Sequence, residues 1–122
     1  MSNLLVVEDS PAIALLLRRR LEMAGHEVTV AANGRDALAW LEQAGLPDLV
    51  LADVMMPEID GIEALGRIKA SHPGLPVILV TGQEVGAPSR ELADAVFAKP
   101  IDFDRLLKAV ERLASGDLDP DA

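Results

Sequence analysis

The sequence contains no cysteine, few aromatic residues and no apolar run long enough to cross a bilayer. The absence of cysteine excludes a disulfide framework, a thiolate metal site and a cysteine nucleophile. The aromatic residues are Trp40, Phe97 and Phe103, so the core must be built from leucine, valine, isoleucine and alanine. The first residues do not combine a basic segment with an apolar one, so we predict neither a signal peptide nor a membrane span.

Basic residues are also scarce, since 11 Lys and Arg face 20 Asp and Glu and the formal charge is −9. Such a surface disfavours binding to nucleic acids and to anionic membranes, and it favours metal cations or a basic partner. The densest basic run is Arg18–Arg20, which we interpret as a solvated helix face. We therefore expect a cytoplasmic protein that contacts neither nucleic acid nor membrane directly.

Short aliphatic runs alternate with helix-like patterns along the whole chain. The predicted strands are Asn3–Glu8, Glu27–Ala31, Asp48–Asp53, Pro76–Thr81 and Ala95–Lys99. The predicted helices are Pro11–Ala24, Arg35–Gln43, Ile62–Ala70, Arg90–Asp94 and a last one capped by Asp102. Strands that are apolar on both faces belong to parallel sheets covered by helices on each side. The sequence therefore predicts an α/β fold with a doubly wound five-stranded parallel sheet.

Polar residues follow or end the predicted strands. Glu8 and Asp9 close the first strand, Asp53 the third, Thr81 the fourth and Lys99 the fifth. Because parallel strands end at one edge of a sheet, these side chains should converge there. Clustered carboxylates require a positive charge, which Mg²⁺ and Lys99 can supply. An aspartate with a metal, an ammonium and a hydroxyl beside it is suited to phosphoryl transfer.

These motifs together resemble the signature of response-regulator receiver domains of two-component signalling. The residues that carry the resemblance are Glu8-Asp9, Asp53 with VMMPEIDG after it, Thr81-Gly82 and Lys99-Pro100. The resemblance extends from Asn3 to Leu113 and is to chemotaxis-regulator-like members, which implies either a single-domain protein or the receiver part of a larger one. It implies the flavodoxin-like strand order 2-1-3-4-5 and a cis Lys99–Pro100 bond.

The resemblance also implies a role for each residue at this edge. Asp53 would be the phosphoacceptor, and Thr81 and Lys99 would bind phosphoryl oxygens. The implied cofactor is Mg²⁺, with Mn²⁺ as an alternative. Its implied ligands all offer oxygen atoms: the carboxylates of Glu8, Asp9 and Asp53 and the backbone carbonyl of Met55.

The implied function is that of a signalling switch and not of a metabolic enzyme. A histidine kinase or histidine phosphotransfer protein would donate the phosphoryl group, and an unknown downstream protein would respond. The chemistry would be confined to self-phosphorylation and autodephosphorylation. We expect the receiver domain to occupy residues 1–114 and residues 115–122 to be a disordered tail or a truncated linker.

Two features depart from the family pattern. Val96 stands where receivers commonly carry an aromatic switch residue, and strand alternation should turn the following Phe97 to the opposite face. The stretch Gly82–Ser89 is predicted to be a loop because of its glycines and proline. Only Arg90–Asp94 then remains for the fourth helix, which we expect to be short or irregular.

Three other functions are alternatives to the signalling switch. A degenerate receiver that acts only as a protein-binding module would share the fold but would neither bind Mg²⁺ nor accept phosphate. A Mg²⁺-dependent phosphatase with an aspartyl phosphate would carry a general acid two residues after Asp53, where Met55 stands. Nucleotide binding is disfavoured because VVEDSPA replaces a glycine-rich loop after the first strand.

Overall fold

Five parallel strands form the centre of the protein, whose computed structural model describes residues 2–54, 59–82 and 86–115. The strands are β1 Asn3–Val7, β2 Glu27–Ala31, β3 Leu49–Asp53, β4 Val77–Thr81 and β5 Ala95–Ala98. They are arranged in the order β2-β1-β3-β4-β5, and every adjacent pair is parallel. The predicted order 2-1-3-4-5 is confirmed.

Helices cover both faces of this sheet. They are α1 Pro11–Met23, α2 Gly34–Gln43, α3 Gly61–Ser71, α4 Ala87–Leu92 and α5 Phe103–Ala114. Buried residues of α1 and α5 pack on one face of the sheet, and those of α2 and α3 pack on the other. The doubly wound arrangement is therefore confirmed. No helix in the described ranges is long and apolar enough to span a membrane.

The central strands contribute side chains to both faces of the sheet in strict alternation. Leu5 and Val50 belong to the cluster beneath α2 and α3, while Val6 and Leu51 belong to the cluster beneath α1 and α5. Because both faces are buried, these strands contain continuous apolar runs instead of an alternating pattern. Polar side chains are thereby confined to the ends of the strands.

Side-chain caps fix where four of the helices begin, and that of α2 is Asn33, which accepts from the Asp36 N–H. Ser10, Asp60 and Asp102 each accept a hydrogen bond from the backbone N–H three residues further on. Each cap satisfies one of the amide groups that the first turn of a helix leaves unpaired. The cap at Asp102 was predicted from the sequence, and those at Ser10 and Asp60 place the starts of α1 and α3 directly beside the carboxyl ends of β1 and β3.

The fourth helix is short, as predicted, but its position differs. It spans six residues, none of them buried, and it begins at Ala87. The predicted boundaries Arg90–Asp94 were therefore wrong, because Pro88 stands in the first turn, where its missing N–H and fixed φ are well tolerated. Ala93 already has an extended backbone and a buried side chain, so the helix ends before Asp94.

One face of α1 differs from the expected pattern. The helical spacing of its apolar residues predicts that Leu16, like Leu17, faces inward, but the buried residues are Ala14, Leu17 and Leu21, and Leu16 is 49% exposed. A helix turns by about 100° per residue, so Leu16 lies well away from the stripe defined by Leu17. Its neighbour Leu15 is equally exposed. The helix that follows Glu8 and Asp9 thus carries apolar side chains on its solvent side.

We expect replacement of His26 by leucine to stabilise the fold. His26 is 8% exposed, and within the described ranges neither of its ring nitrogens has a hydrogen-bond partner. A buried polar group without a partner is destabilising, so His26→Leu should raise the free energy of unfolding by about 1 kcal/mol. Urea unfolding followed by the fluorescence of Trp40 measures this change.

His72→Leu is the matched control, because His72 is only partly buried and should respond weakly. A loss of stability in His26→Leu that exceeds the effect in the control would contradict the interpretation, since it would show that the imidazole makes a favourable polar contact.

Candidate functional site

Three carboxylates meet at the carboxyl ends of β1 and β3. Glu8 and Asp9 follow β1, Asp53 ends β3, and their oxygen atoms lie within 4.8 Å of one another. Because Val7 pairs with Ala52 across the two strands, the residues that follow this pair emerge side by side. Glu8 is 3% and Asp53 is 5% exposed, whereas Asp9 is exposed to solvent. The predicted convergence of these side chains is confirmed.

Lys99 and Thr81 reach the same edge from β5 and β4. Lys99 Nζ donates a hydrogen bond of 2.8 Å to Asp53 Oδ2, and the Lys99 backbone N–H donates one of 2.8 Å to the Thr81 carbonyl. Thr81 is 1% exposed and pairs with Ala98, the last residue of β5. The Lys99–Pro100 bond is cis, as the resemblance implied. The Lys99 ammonium therefore contacts the buried Asp53 directly, and Thr81 ends the strand next to β3.

The crowding of carboxylates changes the proton affinity of Glu8. Burial, followed by hydrogen bonding with Asp53 and by the charge of that carboxylate, raises the pKa of Glu8 to about 7. The backbone N–H of Ser10, 3.2 Å from Glu8 Oε2, opposes this rise. On Lys99 the hydrogen bond to Asp53 raises the pKa of the ammonium and outweighs the opposing effect of burial. Near neutral pH the cluster therefore carries excess negative charge that Lys99 offsets only in part.

The donor set fits a hard divalent cation. Carboxylate oxygens are the ligands that Mg²⁺ prefers, and it commonly takes one or two from the protein while keeping several waters. After burial, the neighbouring Asp53 carboxylate contributes to the raised pKa of Glu8, and a bound cation would offset this repulsion. Glu8, Asp9 and Asp53 could supply such ligands, and the remaining candidate, Met55, lies outside the described residues.

Two hydrogen bonds and one close contact fix the backbone directly after Asp53. Val54 N–H donates to the Val80 carbonyl and Gly61 N–H donates to the Val54 carbonyl, each at 3.0 Å. A Cβ on Gly61 would stand 2.3 Å from the Asp53 carbonyl oxygen. Only glycine permits α3 to begin this close to the end of β3. The spacing of residues in the sequence predicts neither this steric constraint on Gly61 nor the contact between the Ser10 N–H and Glu8.

The side chains of β5 alternate between the two faces of the sheet, as expected. Val96 packs against the cluster beneath α2 and α3, and Phe97 packs against the opposite cluster beneath α1 and α5. Phe97 pairs with Val80, one residue before Thr81. The aromatic ring is thus on the other side of the sheet from the position that receivers commonly use for a switch residue.

Comparison with known proteins points to one family. The model of the response regulator receiver domain matches residues 4–111. The chain is 34% identical over 122 residues to the protein PilH of Pseudomonas aeruginosa, with 95% of this chain and 100% of PilH covered. It is 37% identical over 114 residues to the transcriptional regulatory protein ZraR of Salmonella typhimurium. That match covers 90% of this chain, which spans only 26% of the regulator's length.

Solved structures agree with these sequence matches. The chain is similar to the response regulator protein TrrA from Thermotoga maritima, with a TM-score of 0.86 and 36% sequence identity. The similarity covers 93% of this chain and 99% of TrrA, whose crystal structure was determined in complex with Mg²⁺–BeF.

We expect the metal-free protein to lose stability as the pH rises from about 5 to about 7. The pKa of Glu8 is raised from 4.5 in the unfolded chain to about 7 in the folded one. The folded state therefore holds a proton that the unfolded state has released, and a rise in pH through this window favours unfolding by on the order of 2 kcal/mol. Urea unfolding in EDTA at several pH values, followed by Trp40 fluorescence, measures the slope.

Glu8→Gln should abolish most of this slope, since the amide cannot ionise. Glu27→Gln removes an exposed carboxylate and should keep the wild-type slope. A slope that persists unchanged in Glu8→Gln would show that another group binds the proton.

Proposed function

Since the chain belongs to the response regulator receiver domain family, whose members are signalling switches and not metabolic enzymes, we propose that Asp53 receives a phosphoryl group from a phosphorylated histidine. The observation that carries this proposal is the buried Asp53 carboxylate, with Lys99 Nζ at 2.8 Å and two further carboxylates beside it. A buried carboxylate that accepts a hydrogen bond from a lysine can act as a covalent nucleophile.

Asp53, Lys99 and Thr81 each have a separate role in the proposed phosphoryl transfer. A carboxylate oxygen of Asp53 forms the new bond to phosphorus while the bond from phosphorus to the donor's imidazole nitrogen breaks. Lys99 exchanges its contact with Asp53 for one with a phosphoryl oxygen, and the Thr81 hydroxyl donates to another. Hydrolysis of the acyl phosphate by water restores Asp53. The protein's own chemistry would thus be confined to accepting and losing this group.

The proposed metal ligands are Glu8, Asp9, Asp53 and the backbone carbonyl of Met55. Bound Mg²⁺, or Mn²⁺ in its place, would offset the negative charge on the phosphoryl oxygens. Burial raises the pKa of Glu8 to about 7. Glu8 must therefore lose its proton before its carboxylate can bind the cation. Affinity for the cation should therefore increase with pH around neutrality.

The donor's docking surface would be the exposed face of α1. This helix begins two residues after Asp9, and Leu15 and Leu16 are each 49% exposed on it. Arg18 and Arg19 extend the same solvent side. An apolar patch of this kind beside a reacting carboxylate suits a helical histidine kinase or histidine phosphotransfer protein, whose phosphohistidine must approach Asp53 closely.

Output would pass through protein contacts to an unknown downstream partner. Thr81 ends β4, and α4, which has no buried residues, follows it in the chain. A phosphoryl group that draws the Thr81 hydroxyl towards Asp53 would change the start of the segment leading to α4. The formal charge of −9 disfavours direct contact with nucleic acid or an anionic membrane. The proposed location is the cytoplasm, where receiver-type switches and their kinases would meet.

The first test is the intact mass of the protein after incubation with acetyl phosphate and Mg²⁺. The wild type should gain one phosphoryl mass, and EDTA should prevent the gain. Asp53→Asn should gain none, because an amide cannot act as the nucleophile, while Asp104→Asn, an exposed acidic position on α5, should behave as the wild type. A folded wild type that gains no mass would favour the degenerate binding module.

A second test concerns the face of α1. Leu15→Ala and Leu16→Ala should each slow transfer from a purified histidine phosphotransfer protein by about five- to tenfold, since each removes apolar contact area at the interface. Labelling by acetyl phosphate should not change, because neither side chain contacts Asp53. Leu46→Ala alters another exposed leucine outside α1 and serves as the control. Equal transfer rates in all three variants would exclude this docking face.

A further inference from the structure

The strand that carries Lys99 to the site is less buried than β3 and β4. In β5 residues 95–97 are only partly buried and Ala98 is exposed, whereas every residue of β3 and β4 is buried. The preceding helix α4 contributes no buried residue either. Because buried side chains specify the register of a strand, the side chains of β5 specify its register only weakly. The residue before β5, Asp94, supplies a further constraint.

Asp94 binds both the backbone N–H and the carbonyl of Val77, the first residue of β4. The Asp94 N–H donates a 2.9 Å hydrogen bond to the Val77 carbonyl, and Asp94 Oδ2 accepts one of 2.8 Å from the Val77 N–H. The carboxylate thus takes the place of the backbone carbonyl that a longer β5 would offer. Successive residues of a strand are about 3.3 Å apart, so a shift of β5 by one residue would break both hydrogen bonds.

Lys69 binds the same carboxylate from α3. Its Nζ lies 2.7 Å from Asp94 Oδ2, and its side chain is only 10% exposed. Such a pair is costly to break, because the remaining charge would be left without its partner. Lys69 stands in the last turn of α3, whose first residue, Gly61, donates to the Val54 carbonyl directly after Asp53. Helix α3 therefore connects the backbone of the phosphoacceptor to the start of β5.

At its other end, β5 places Lys99 beside the phosphoacceptor. The Lys99 N–H donates to the Thr81 carbonyl at 2.8 Å, and Lys99 Nζ donates to Asp53 Oδ2 at 2.8 Å. The contact of Asp94 with Val77 and that of Lys99 with Thr81 are the two ends of one ladder, with four paired residues of β4 and β5 between or within them. Because an extended strand has a nearly fixed rise per residue, the position of Lys99 along β4 follows from that of Asp94.

We infer that Asp94 and Lys69 form a positioning pair for Lys99: by fixing the start of β5 on β4 and α3, they set where the Lys99 ammonium meets Asp53 and its phosphoryl group. This inference rests on the proposed function and extends it to two residues at the amino-terminal edge of the sheet, opposite the site. Neither residue contacts the reacting atoms, so both act through Lys99. Reaction rates respond steeply to small displacements of a group that binds the reacting centre.

The experiment measures the rate at which the full chain gains a phosphoryl mass from acetyl phosphate and Mg²⁺. Asp94→Ala removes both side-chain contacts and should slow labelling by about tenfold. Asp94→Asn keeps an oxygen for the Val77 N–H but loses the ion pair, so it should retain more of the rate.

Asp48→Ala is the matched control. Asp48 Oδ2 accepts a 2.7 Å hydrogen bond from the Asn3 N–H at the same edge of the sheet, but buried side chains already fix the register of β1 and β3. Its loss should therefore lower the stability of the fold and leave the rate of labelling unchanged. An equal loss of rate in Asp48→Ala and Asp94→Ala would overturn the inference, since it would reflect stability alone.

A double-variant cycle tests whether the effect passes through Lys99. If it does, Lys99→Met/Asp94→Ala should be labelled no more slowly than Lys99→Met alone. Losses of rate that multiply would overturn this route. Amide exchange followed by NMR gives a second readout. The Lys99 N–H should exchange faster in Asp94→Ala than in the wild type, whereas the Glu8 N–H, which donates to the Ala31 carbonyl, should keep its rate.

The outcomes separate this inference from the proposed function. A folded Asp94→Ala with wild-type labelling and wild-type exchange at Lys99 would overturn the inference and leave the phosphoacceptor proposal intact. Should Asp94→Ala not fold by Trp40 fluorescence, Lys69→Met decides, because wild-type labelling and exchange in that variant would overturn the role of the pair. A wild type that gains no phosphoryl group would overturn the proposed function, and exchange at Lys99 would then decide the anchoring of this residue by itself.

Discussion

The charge balance around Asp53 is the constraint on which the rest of the site depends. A carboxylate that is 5% exposed would be costly to bury without a partner, and the hydrogen bond from Lys99 Nζ at 2.8 Å supplies one. Glu8 adds a second buried carboxyl, and its burial, followed by its interactions with Asp53, raises its pKa. The arrangement thus maintains a negatively charged cluster in a form that added positive charge would stabilise.

Most of the fold and the grouping of the site residues could be predicted from the sequence, for one physical reason. A buried parallel sheet needs strands that are apolar throughout, so the places where Glu8, Asp53, Thr81 and Lys99 interrupt those runs mark the strand ends. The topology then brings all the ends to one edge. Cap residues such as Asp60 could be identified in the same way, because their hydrogen bonds are local.

The features that could not be predicted depend on contacts between distant segments or on small rotations. The exposed position of Leu16 differs from the buried position of Leu17 by a single helical step, and the apolar pattern of α1 does not distinguish them. The start of α4 at Ala87 reflects the tolerance of a first turn for Pro88. Gly34 resembles any turn glycine in the sequence, but an added Cβ there would stand 2.6 Å from the Ile59 carbonyl oxygen, a contact that the sequence does not reveal.

The shallow attachment of α4 also has an evolutionary consequence. Its six residues contribute no buried side chain, while the cores on both faces of the sheet are built by other elements. Substitutions within α4 should therefore cost little folding free energy, and this short surface can diversify while the sheet edge that carries Asp53 stays unchanged. A lineage built on this architecture could acquire new recipients for its signal without re-evolving the chemistry that produces it.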